Sequence, residues 1–223
     1  MSRVPGICRM GAAICSFAET PFLKVEGAKN IVDGTAIYVL KHQSYRDIWG
    51  MGVVLYRHAR AYAYYPMKSS LPKWLLEPFG GISIYRSEDI KKLLRKETDE
   101  TRRESLKLAL KQKTREQFNT LAEIIRTDDK NSSVVICAEG HRYRNCVGPL
   151  HREGINMLLS AEDLPVVPVG TEYHGWRATF RLGEPRKYGA LTESVAEELR
   201  TELGALSRCP VLISSRTGKV RAV

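Results

Sequence analysis

His42 and Asp47 are the two residues of this chain whose types and spacing best fit acid–base chemistry. Histidine has an unperturbed pKa near neutrality, so it can take up and return a proton, and a carboxylate bonded to one ring nitrogen fixes the tautomer of the ring. Five positions along a continuous helix would set the two side chains roughly 140° apart. They can therefore meet only if His42 precedes a helix and Asp47 lies in its first turn, where the helix dipole also favours an anion. On its own this spacing is common and more often marks a surface histidine in a loop.

The residues around this pair predict a strand followed by a helix. The run Thr35–Leu40 is rich in strand-forming residues and would deliver His42 to a turn. A helix is predicted over Asp47–Arg60, in which Gly50 and Gly52 weaken the helix but permit the close approach of another element. The predicted buried residues of this helix are Trp49, Val53, Val54 and Leu55.

Apolar runs and amphipathic segments alternate along the rest of the chain. Further strands are predicted at Ala61–Tyr65, which Pro66 would end, and at residues 82–85, 133–138, 164–170 with prolines at the ends, and 179–183. Helices are predicted at residues 7–17, at 68–76, over 87–129 as two helices or one long bent helix, at 155–160 and at 194–206. A turn is predicted at Lys24–Gly27.

The composition predicts one folded domain with an anionic partner. The chain has 223 residues, of which 43% are apolar and 27% charged, as is ordinary for a folded soluble protein. Its formal charge of +10 favours phosphorylated small molecules, an acidic carrier protein, anionic lipid surfaces or nucleic acid as partners. Charge alone does not choose among these four classes.

The cysteines and the amino-terminal residues indicate where in the cell the protein is expected. The five cysteines are odd in number and include no C-x2-C pair, which argues against a disulfide scaffold and favours a reducing interior. The apolar stretch Val4–Ala18 is shorter than the ~20 residues of a membrane-spanning helix, contains Arg9 and fits a signal peptide poorly. Any membrane contact is therefore expected to be peripheral.

Three later segments place polar or buried residues where an α/β site would need them. Gly80–Arg86 is a glycine turn and short strand that ends in an arginine, whose fork of donors matches phosphate. Glu139–Arg142 directly follows a buried strand, and Val166–Val169 is a buried strand that contains a proline. Together with His42-x4-Asp47, these segments resemble in order the glycerolipid acyltransferase family, in particular the bacterial 1-acylglycerol-3-phosphate acyltransferases. The likeness covers about residues 24–206.

The resemblance implies a fold and a set of site residues. The fold would be α/β, a single domain over residues 1–223 with a mixed, mostly parallel central sheet flanked by helices, an N-terminal helical segment at 1–23 and a helical, insertion-like segment at 88–129. His42 and Asp47 would be the catalytic pair. The substrate-binding residues would be Lys68, Arg86, Glu139, Gly140 and Arg142. No metal or cofactor is implied, and acyl-CoA or an acyl carrier protein would be the co-substrate.

The chemistry of these residues fits transfer of an acyl group from a thioester to an alcohol. His42 would remove the proton of the attacking hydroxyl, Asp47 would orient the ring and stabilise its charged form, and no serine or cysteine nucleophile is needed. Backbone N–H groups near the start of the helix would hold the oxyanion.

The expected setting is the inner face of a membrane. The favoured acceptor is a lysophospholipid, above all 1-acyl-glycerol-3-phosphate, in phospholipid biosynthesis; glycerol-3-phosphate and a lyso-aminolipid are the alternatives. The enzyme would be cytoplasmic, associated peripherally with the membrane, and would bind no nucleic acid.

Two functions of other classes compete with this hypothesis. Cys137, His141, Cys146 and His151 have a spacing that could bind Zn²⁺ in a basic nucleic-acid-binding protein, although the spacing matches no common zinc module. The second is a non-catalytic lipid-surface protein that keeps the fold.

Overall fold

The computed structural model describes residues 20–68, 80–127, 132–214 and 220–222. The strands in these ranges are β1 (Leu23–Glu26), β2 (Ile37–Leu40), β3 (Tyr62–Lys68), β4 (Gly81–Ile84), β5 (Ser132–Ile136), β6 (Pro165–His174), β7 (Arg177–Leu182), β8 (Arg186–Lys187), β9 (Leu212–Ser214) and β10 (Val220–Ala222). The α-helices in the same ranges are α1 (Arg46–Ala59), α2 (Ser87–Leu94), α3 (Glu100–Thr127), α4 (Glu153–Ala161) and α5 (Glu193–Ser207).

One mixed sheet organises the described residues. Its order is β1-β7-β6-β2-β5-β3-β4, with β8 paired to β6, and β9 and β10 form a separate antiparallel pair. Strands β6, β2, β5, β3 and β4 are parallel to one another, whereas β7 is antiparallel to β6. The predicted α/β fold with a mixed, mostly parallel sheet is confirmed. The five parallel strands all end at one edge of the sheet, which we call the carboxyl edge.

Both faces of the sheet are covered, which explains the unbroken apolar runs of its central strands. In β2 the side chains of Ile37 and Val39 join one core cluster and those of Tyr38 and Leu40 join the other. Residues of α3, α4 and α5 pack in the first cluster, and residues of α1 pack in the second. The strand at the centre of the fold is thus anchored from both sides just before His42.

Two glycines let α1 lie close to the sheet, as the sequence predicts. A Cβ atom on Gly50 would lie 2.5 Å from the ring of Phe180, and a Cβ atom on Gly52 would lie 2.2 Å from the hydroxyl of Tyr65. Glycine within a helix lowers the stability of the helix. Here that cost is offset by close packing that an alanine would prevent. This packing fixes the helix whose first turn carries Asp47.

Trp49 corrects the predicted burial of α1. Val53, Val54 and Leu55 are buried as expected, but Trp49 is 45% exposed. Trp49 lies one turn after Tyr45, which is also exposed, so both belong to the outer face of the helix. The apolar character of tryptophan suggested burial, but its position on the helix decides otherwise.

The prolines and the first strand correct three further predictions. Pro66 does not end β3 but pairs with Ile82 inside it. Tyr65 donates its N–H toward β4, to the carbonyl of Gly80. Successive N–H groups of a strand face opposite sides, so the N–H that Pro66 lacks would face the β5 side. The last β3 residue that pairs with β5 is Tyr64, so Pro66 lies beyond that pairing. Pro168 likewise lies within β6, opposite Val39. The predicted turn at Lys24–Gly27 is strand β1 up to Glu26.

Several predictions concern residues that the structure describes only in part. The segment over 87–129 forms two helices, α2 and α3, and Phe118, Leu121 and Ile125 of α3 are buried in the core. Lys68 is the last residue of β3, and the rest of the predicted helix at 69–76 lies outside the described residues. Residues 1–19 also lie outside them, so the single domain over 1–223 with its N-terminal helical segment stays a prediction. None of the described helices is long and apolar enough to cross a membrane.

Candidate active site

His42 and Asp47 meet at the carboxyl edge as their spacing requires. His42 lies two residues after β2, and Asp47 is the second residue of α1. The Nδ1 atom of His42 is 3.1 Å from Oδ2 of Asp47. The Asp47 side chain is fully buried, whereas 15% of the His42 side chain is exposed. When Nδ1 carries the proton toward Asp47, Nε2 of His42 has the lone pair that a general base needs.

Asp47 also organises the loop that carries the histidine. Its Oδ2 atom accepts the backbone N–H groups of Gln43 and Ser44, each at 2.6 Å. The carboxylate thus reaches back from the first turn to N–H groups that precede the helix, as in a capping box. The position of Asp47 therefore lets one carboxylate fix the conformation of the loop and the orientation of the His42 ring.

These hydrogen bonds limit which N–H groups could form the predicted oxyanion site. The N–H groups of Gln43 and Ser44 donate to Asp47, that of Arg46 donates to the Ser44 hydroxyl, and that of Asp47 donates to the Ser44 carbonyl. Four of the five N–H groups from Gln43 to Asp47 therefore already have acceptors within the loop. Most of the N–H groups at the start of α1 therefore help to build the site.

Tyr173 completes the surroundings of Asp47, and the sequence analysis missed it. Its hydroxyl donates to Oδ1 of Asp47 at 2.5 Å from the far end of β6. Burial, followed by the charge of Asp47, raises the pKa of Tyr173, so the phenol stays protonated as a donor. Only a prediction that extended β6 past Gly170 could have placed this tyrosine beside the first turn of α1.

Replacing Tyr173 by Phe is expected to lower kcat about three- to tenfold while leaving the acceptor KM nearly unchanged. The loss of a hydrogen bond to a charged group costs about 1.5–3 kcal/mol, and here it would loosen the carboxylate that orients His42. Steady-state kinetics over a range of pH would measure the change. Tyr38→Phe is the matched control, because the buried Tyr38 hydroxyl bonds the N–H of Val32 away from the site. Equal activity of Tyr173→Phe and the unmodified protein would contradict this role.

A buried ion pair contacts the backbone of His42. Nζ of Lys41 is 3.2 Å from Oε1 of Glu139, and both side chains are fully buried. Lys41 also donates to the backbone carbonyls of His42 at 3.1 Å and Tyr143 at 2.6 Å. No sequence motif singles out Lys41, because a lysine at the end of a strand is usually solvated.

Glu139 does not fit the predicted role of a substrate ligand. Its Oε2 atom accepts the backbone N–H of His42 at 2.7 Å, and its Oε1 atom accepts that of Gly148 at 2.8 Å. Burial raises the pKa of Glu139, and Lys41 with these N–H donors opposes that effect. Since both oxygens are bonded within the protein, Glu139 is a positioning residue that ties the loop after β5 to the backbone of His42.

Gly140 has a positive φ angle and lies close to the ring of His151. Its φ is +66°, and a Cβ atom there would lie 2.8 Å from the ring of His151. Its carbonyl accepts Nη1 of Arg86 at 2.6 Å. Gly140 therefore joins the loop after β5 to the end of β4, and no side chain at this position could contact a substrate.

The predicted cations Lys68 and Arg86 share one carboxylate, that of Asp89. Nε of Arg86 is 3.1 Å from Oδ2 of Asp89, and Nζ of Lys68 is 3.4 Å from Oδ1. Burial acts to raise the pKa of Asp89, but the hydrogen bond and charge of Arg86 and the charge of Lys68 outweigh it and lower the pKa. Asp89 thus holds both cations at the ends of β3 and β4, with about a third of each side chain exposed.

Arg142 lies beside the first turn of α1. Its guanidinium carbon is 3.8 Å from the centre of the Tyr45 ring, and Nη2 donates to the Tyr45 hydroxyl at 2.9 Å. The Arg142 side chain is exposed. Tyr143, the next residue, donates its N–H to the carbonyl of His42. Arg142 is therefore an exposed cation close to the His42–Asp47 pair.

The structure thus brings all the predicted site residues to the carboxyl edge, where ligands of α/β sheets bind. The loop after β5 is the link, because it bonds His42 through Glu139 and Tyr143 and bonds Arg86 through Gly140. His42 and Asp47 form a hydrogen-bonded pair there. Lys68, Arg86 and Arg142 form a cationic border beside it.

The alternative zinc site is not assembled. Within the described residues no group of three or more His, Cys, Asp or Glu side chains could hold a metal ion. His141 instead pairs with Glu88, its Nε2 lying 2.7 Å from Oε1. Burial raises the pKa of Cys137, which opposes the thiolate that a zinc ligand must be.

The fold and the site define an α/β protein with a hydrogen-bonded histidine–aspartate pair at the carboxyl edge of its parallel strands. A family model described as Acyltransferase matches residues 22–172, which is more than half of the chain. The chain therefore belongs to the acyltransferase family, as the four ordered segments predict. No curated protein matches the chain.

A solved structure gives a further comparison. The chain is similar to the 1-acyl-sn-glycerophosphate (LPA) acyltransferase PlsC from Thermotoga maritima, with 16% sequence identity and a TM-score of 0.49. The match covers 92% of this chain and 77% of that one.

Proposed function

We propose that this acyltransferase moves a fatty acyl group from a thioester of CoA or acyl carrier protein to the free hydroxyl of a lysophospholipid, with 1-acyl-glycerol-3-phosphate as the favoured acceptor. Its place would be phospholipid biosynthesis at the inner face of a membrane, to which it binds peripherally. One observation carries the proposal. The buried Asp47 holds His42 at the same edge of the sheet at which Lys68, Arg86 and Arg142 present positive charge.

The His42–Asp47 pair supports a direct transfer. Nε2 of His42 removes the proton of the acceptor hydroxyl as its oxygen attacks the thioester carbonyl. The tetrahedral intermediate collapses with cleavage of the C–S bond, and the imidazolium returns the proton to the departing thiolate. Asp47 keeps the ring in the required tautomer and stabilises its positive charge without taking the proton.

The cationic border supports an acceptor that carries phosphate. Arginine donates two parallel hydrogen bonds to phosphate oxygens, and charge-assisted bonds are about twice as strong as neutral ones. Asp89 already orients Arg86 and Lys68, so little side-chain entropy would be lost when phosphate binds. Arg142 is exposed and supported by Tyr45, which makes it the candidate for direct phosphate contact.

An acceptor panel with both thioester donors tests this proposal. We expect 1-acyl-glycerol-3-phosphate to give a kcat/KM at least about tenfold above that of monoacylglycerol or a lyso-aminolipid, because these lack a terminal phosphate. Glycerol-3-phosphate separates the need for phosphate from the need for an acyl chain. Release of free CoA or free carrier protein measures transfer with each donor.

Arg142→Gln tests the phosphate contact within the same panel. We expect the KM for 1-acyl-glycerol-3-phosphate to rise about tenfold and the KM for the thioester donor to stay the same. Arg144→Gln is the matched control, because Arg144 is an exposed arginine two residues further along the same loop. Fastest turnover of a lyso-aminolipid, or an unchanged KM in Arg142→Gln, would refute a phosphate-bearing acceptor.

A further inference from the structure

Large exposed apolar side chains gather at the carboxyl edge. Among the described residues, the exposed large hydrophobic side chains are Phe22, Tyr45, Trp49, Leu93, Leu108 and Trp176. Tyr45 directly precedes α1 and Trp49 lies in its first turn, next to the His42 loop. Phe22 directly precedes β1, whose first residue pairs with Ala178, so Phe22 lies near Trp176. We call Phe22, Tyr45, Trp49 and Trp176 the aromatic rim.

Trp176 lies at the tip of the hairpin that joins β6 to β7. The last pair of the hairpin is His174 with Arg177, which leaves Gly175 and Trp176 as a two-residue turn. Gly175 has a φ of +60°, as the first position of a tight hairpin turn requires. The Trp176 side chain is 79% exposed, the largest exposure of any large hydrophobic residue in the described ranges.

The hairpin extends beyond the strand that carries the histidine. Leu40, the last residue of β2, pairs with Val169, and β6 continues for five more residues to His174. At about 3.3 Å per residue this extension is roughly 16 Å long. Tyr173 within it bonds Asp47, so the hairpin is joined to the catalytic pair. A surface that held the tip would therefore hold the active site in a defined orientation.

Positive charge surrounds the tip. Nη1 of Arg46 donates to the carbonyl of Trp176 at 2.8 Å, and Arg177 follows Trp176 as an exposed residue. The nearby carboxylate of Glu172 is already paired with Arg181 and lies 3.6 Å from Arg208. An anionic partner would thus meet the exposed Arg177 directly beside the Trp176 ring.

We propose that the aromatic rim, with Arg46 and Arg177, is the surface by which this protein docks on an anionic lipid bilayer. This inference rests on the proposed function, because a lipid acceptor must reach His42 from the membrane. Tryptophan and tyrosine partition to the interface of a bilayer without needing a shaped pocket, whereas a protein partner would need a cavity to receive the Trp176 ring. Arginines beside the ring gain binding energy from anionic headgroups.

Vesicle binding by the purified protein tests the docking surface. We expect the unmodified protein to bind vesicles of phosphatidylcholine mixed with phosphatidylglycerol and to bind phosphatidylcholine alone more weakly. Trp176→Ser should weaken binding to the mixed vesicles about tenfold, because it removes the ring that enters the interface. Trp176→Phe should recover part of that loss. The turn itself should persist, because Arg46 bonds the backbone carbonyl of residue 176.

A charge variant and its control complete the experiment. Arg177→Gln should weaken binding about fivefold, in line with one basic residue at an anionic surface. Lys187→Gln should leave binding unchanged, because Lys187 is an exposed cation that pairs with Pro165 at the opposite edge of the sheet. Trp176→Ser that binds vesicles as tightly as the unmodified protein would overturn the inference. So would an unchanged vesicle affinity combined with a raised KM for acyl carrier protein, which would make the rim a protein-binding surface.

A monomeric substrate separates this inference from the proposed function. Trp176→Ser should turn over a short-chain lysophosphatidic acid below its micelle concentration at the rate of the unmodified protein, and lose activity only with acceptor presented in vesicles. Equal loss in both assays would mean that Trp176 supports the catalytic site and not docking. No turnover by the unmodified protein in either assay would refute the proposed function, while the vesicle-binding comparison would still test the rim.

Discussion

Replacement of His42 by alanine is expected to lower kcat by about 10²- to 10⁴-fold, the usual contribution of a positioned general base. The acceptor KM should change little, because Lys68, Arg86 and Arg142 lie on other elements. The physical reason is that a hydroxyl is a poor nucleophile at neutral pH unless its proton is removed as it attacks. Thioester consumption by the purified protein in the presence of 1-acyl-glycerol-3-phosphate measures the loss.

The control for this variant must separate lost chemistry from lost folding. His58→Ala is matched, because His58 is an exposed histidine near the other end of the same helix, α1. We expect His58→Ala to keep full activity and both variants to unfold at similar denaturant concentrations. Acyl transfer by His42→Ala at the normal rate would exclude His42 as the base. It would also leave the non-catalytic lipid-surface protein as the better explanation of the fold.

Local patterns were sufficient to predict that His42 and Asp47 meet. The apolar run before His42 is a strand that buries both faces, and the spacing to Asp47 has one geometric solution, which is a loop followed by a first helical turn. Both features depend on neighbouring residues only. The same holds for the arginine at the end of β4, because a glycine turn and a short strand precede it directly.

Long-range pairs account for what the sequence analysis missed. Tyr173 bonds Asp47 across 126 positions, and Lys41 bonds Glu139 across 98. No local periodicity encodes such contacts, because they depend on which strands become neighbours in the sheet. Lys41 by itself resembles a solvated lysine, and Glu139 by itself resembles a substrate ligand. Only the parallel pairing of β2 with β5 shows that the two charges neutralise each other behind the histidine.

The role of Asp89 in holding the cationic border also depends on a contact between distant parts of the chain. Residues 88–116 are rich in charges of both signs, which in a predicted helical segment usually form a solvated surface. The structure instead buries Asp89 between Arg86 and Lys68, and Lys68 comes from a different strand. The border is therefore held by a carboxylate that no motif identified.

Replacement of Lys41 by methionine is expected to lower the free energy of unfolding by about 3–5 kcal/mol, the cost of removing one partner of a buried ion pair. The variant would leave the Glu139 carboxylate charged and buried beside an apolar side chain. Activity should fall as well, because Lys41 bonds the carbonyls of His42 and Tyr143 and Glu139 bonds the N–H of His42. Denaturant unfolding followed by circular dichroism measures the stability.

The pH dependence of this variant distinguishes an uncompensated charge from poor packing. Burial raises the pKa of Glu139, and Lys41 opposes that rise, so the pKa of Glu139 should be higher still in Lys41→Met. A carboxyl whose pKa is raised by folding favours the folded state below the unfolded pKa and loses that contribution as the pH rises through the folded pKa. The destabilisation of Lys41→Met relative to the unmodified protein should therefore be smaller at mildly acidic pH than at alkaline pH.

The double variant Lys41→Met with Glu139→Gln completes the test. A neutral amide is less costly to bury than an unpaired carboxylate and keeps an acceptor for the N–H of His42, so the double variant should be more stable than Lys41→Met alone. Lys187→Met, at an exposed ion pair with Asp163, should change stability by less than about 1 kcal/mol. Glu139→Gln alone is the second single variant. If the losses of unfolding free energy in Lys41→Met and Glu139→Gln sum to that of the double variant, with no dependence on pH, Lys41 and Glu139 do not act as a pair. The histidine would then owe its position to Asp47 and the loop alone.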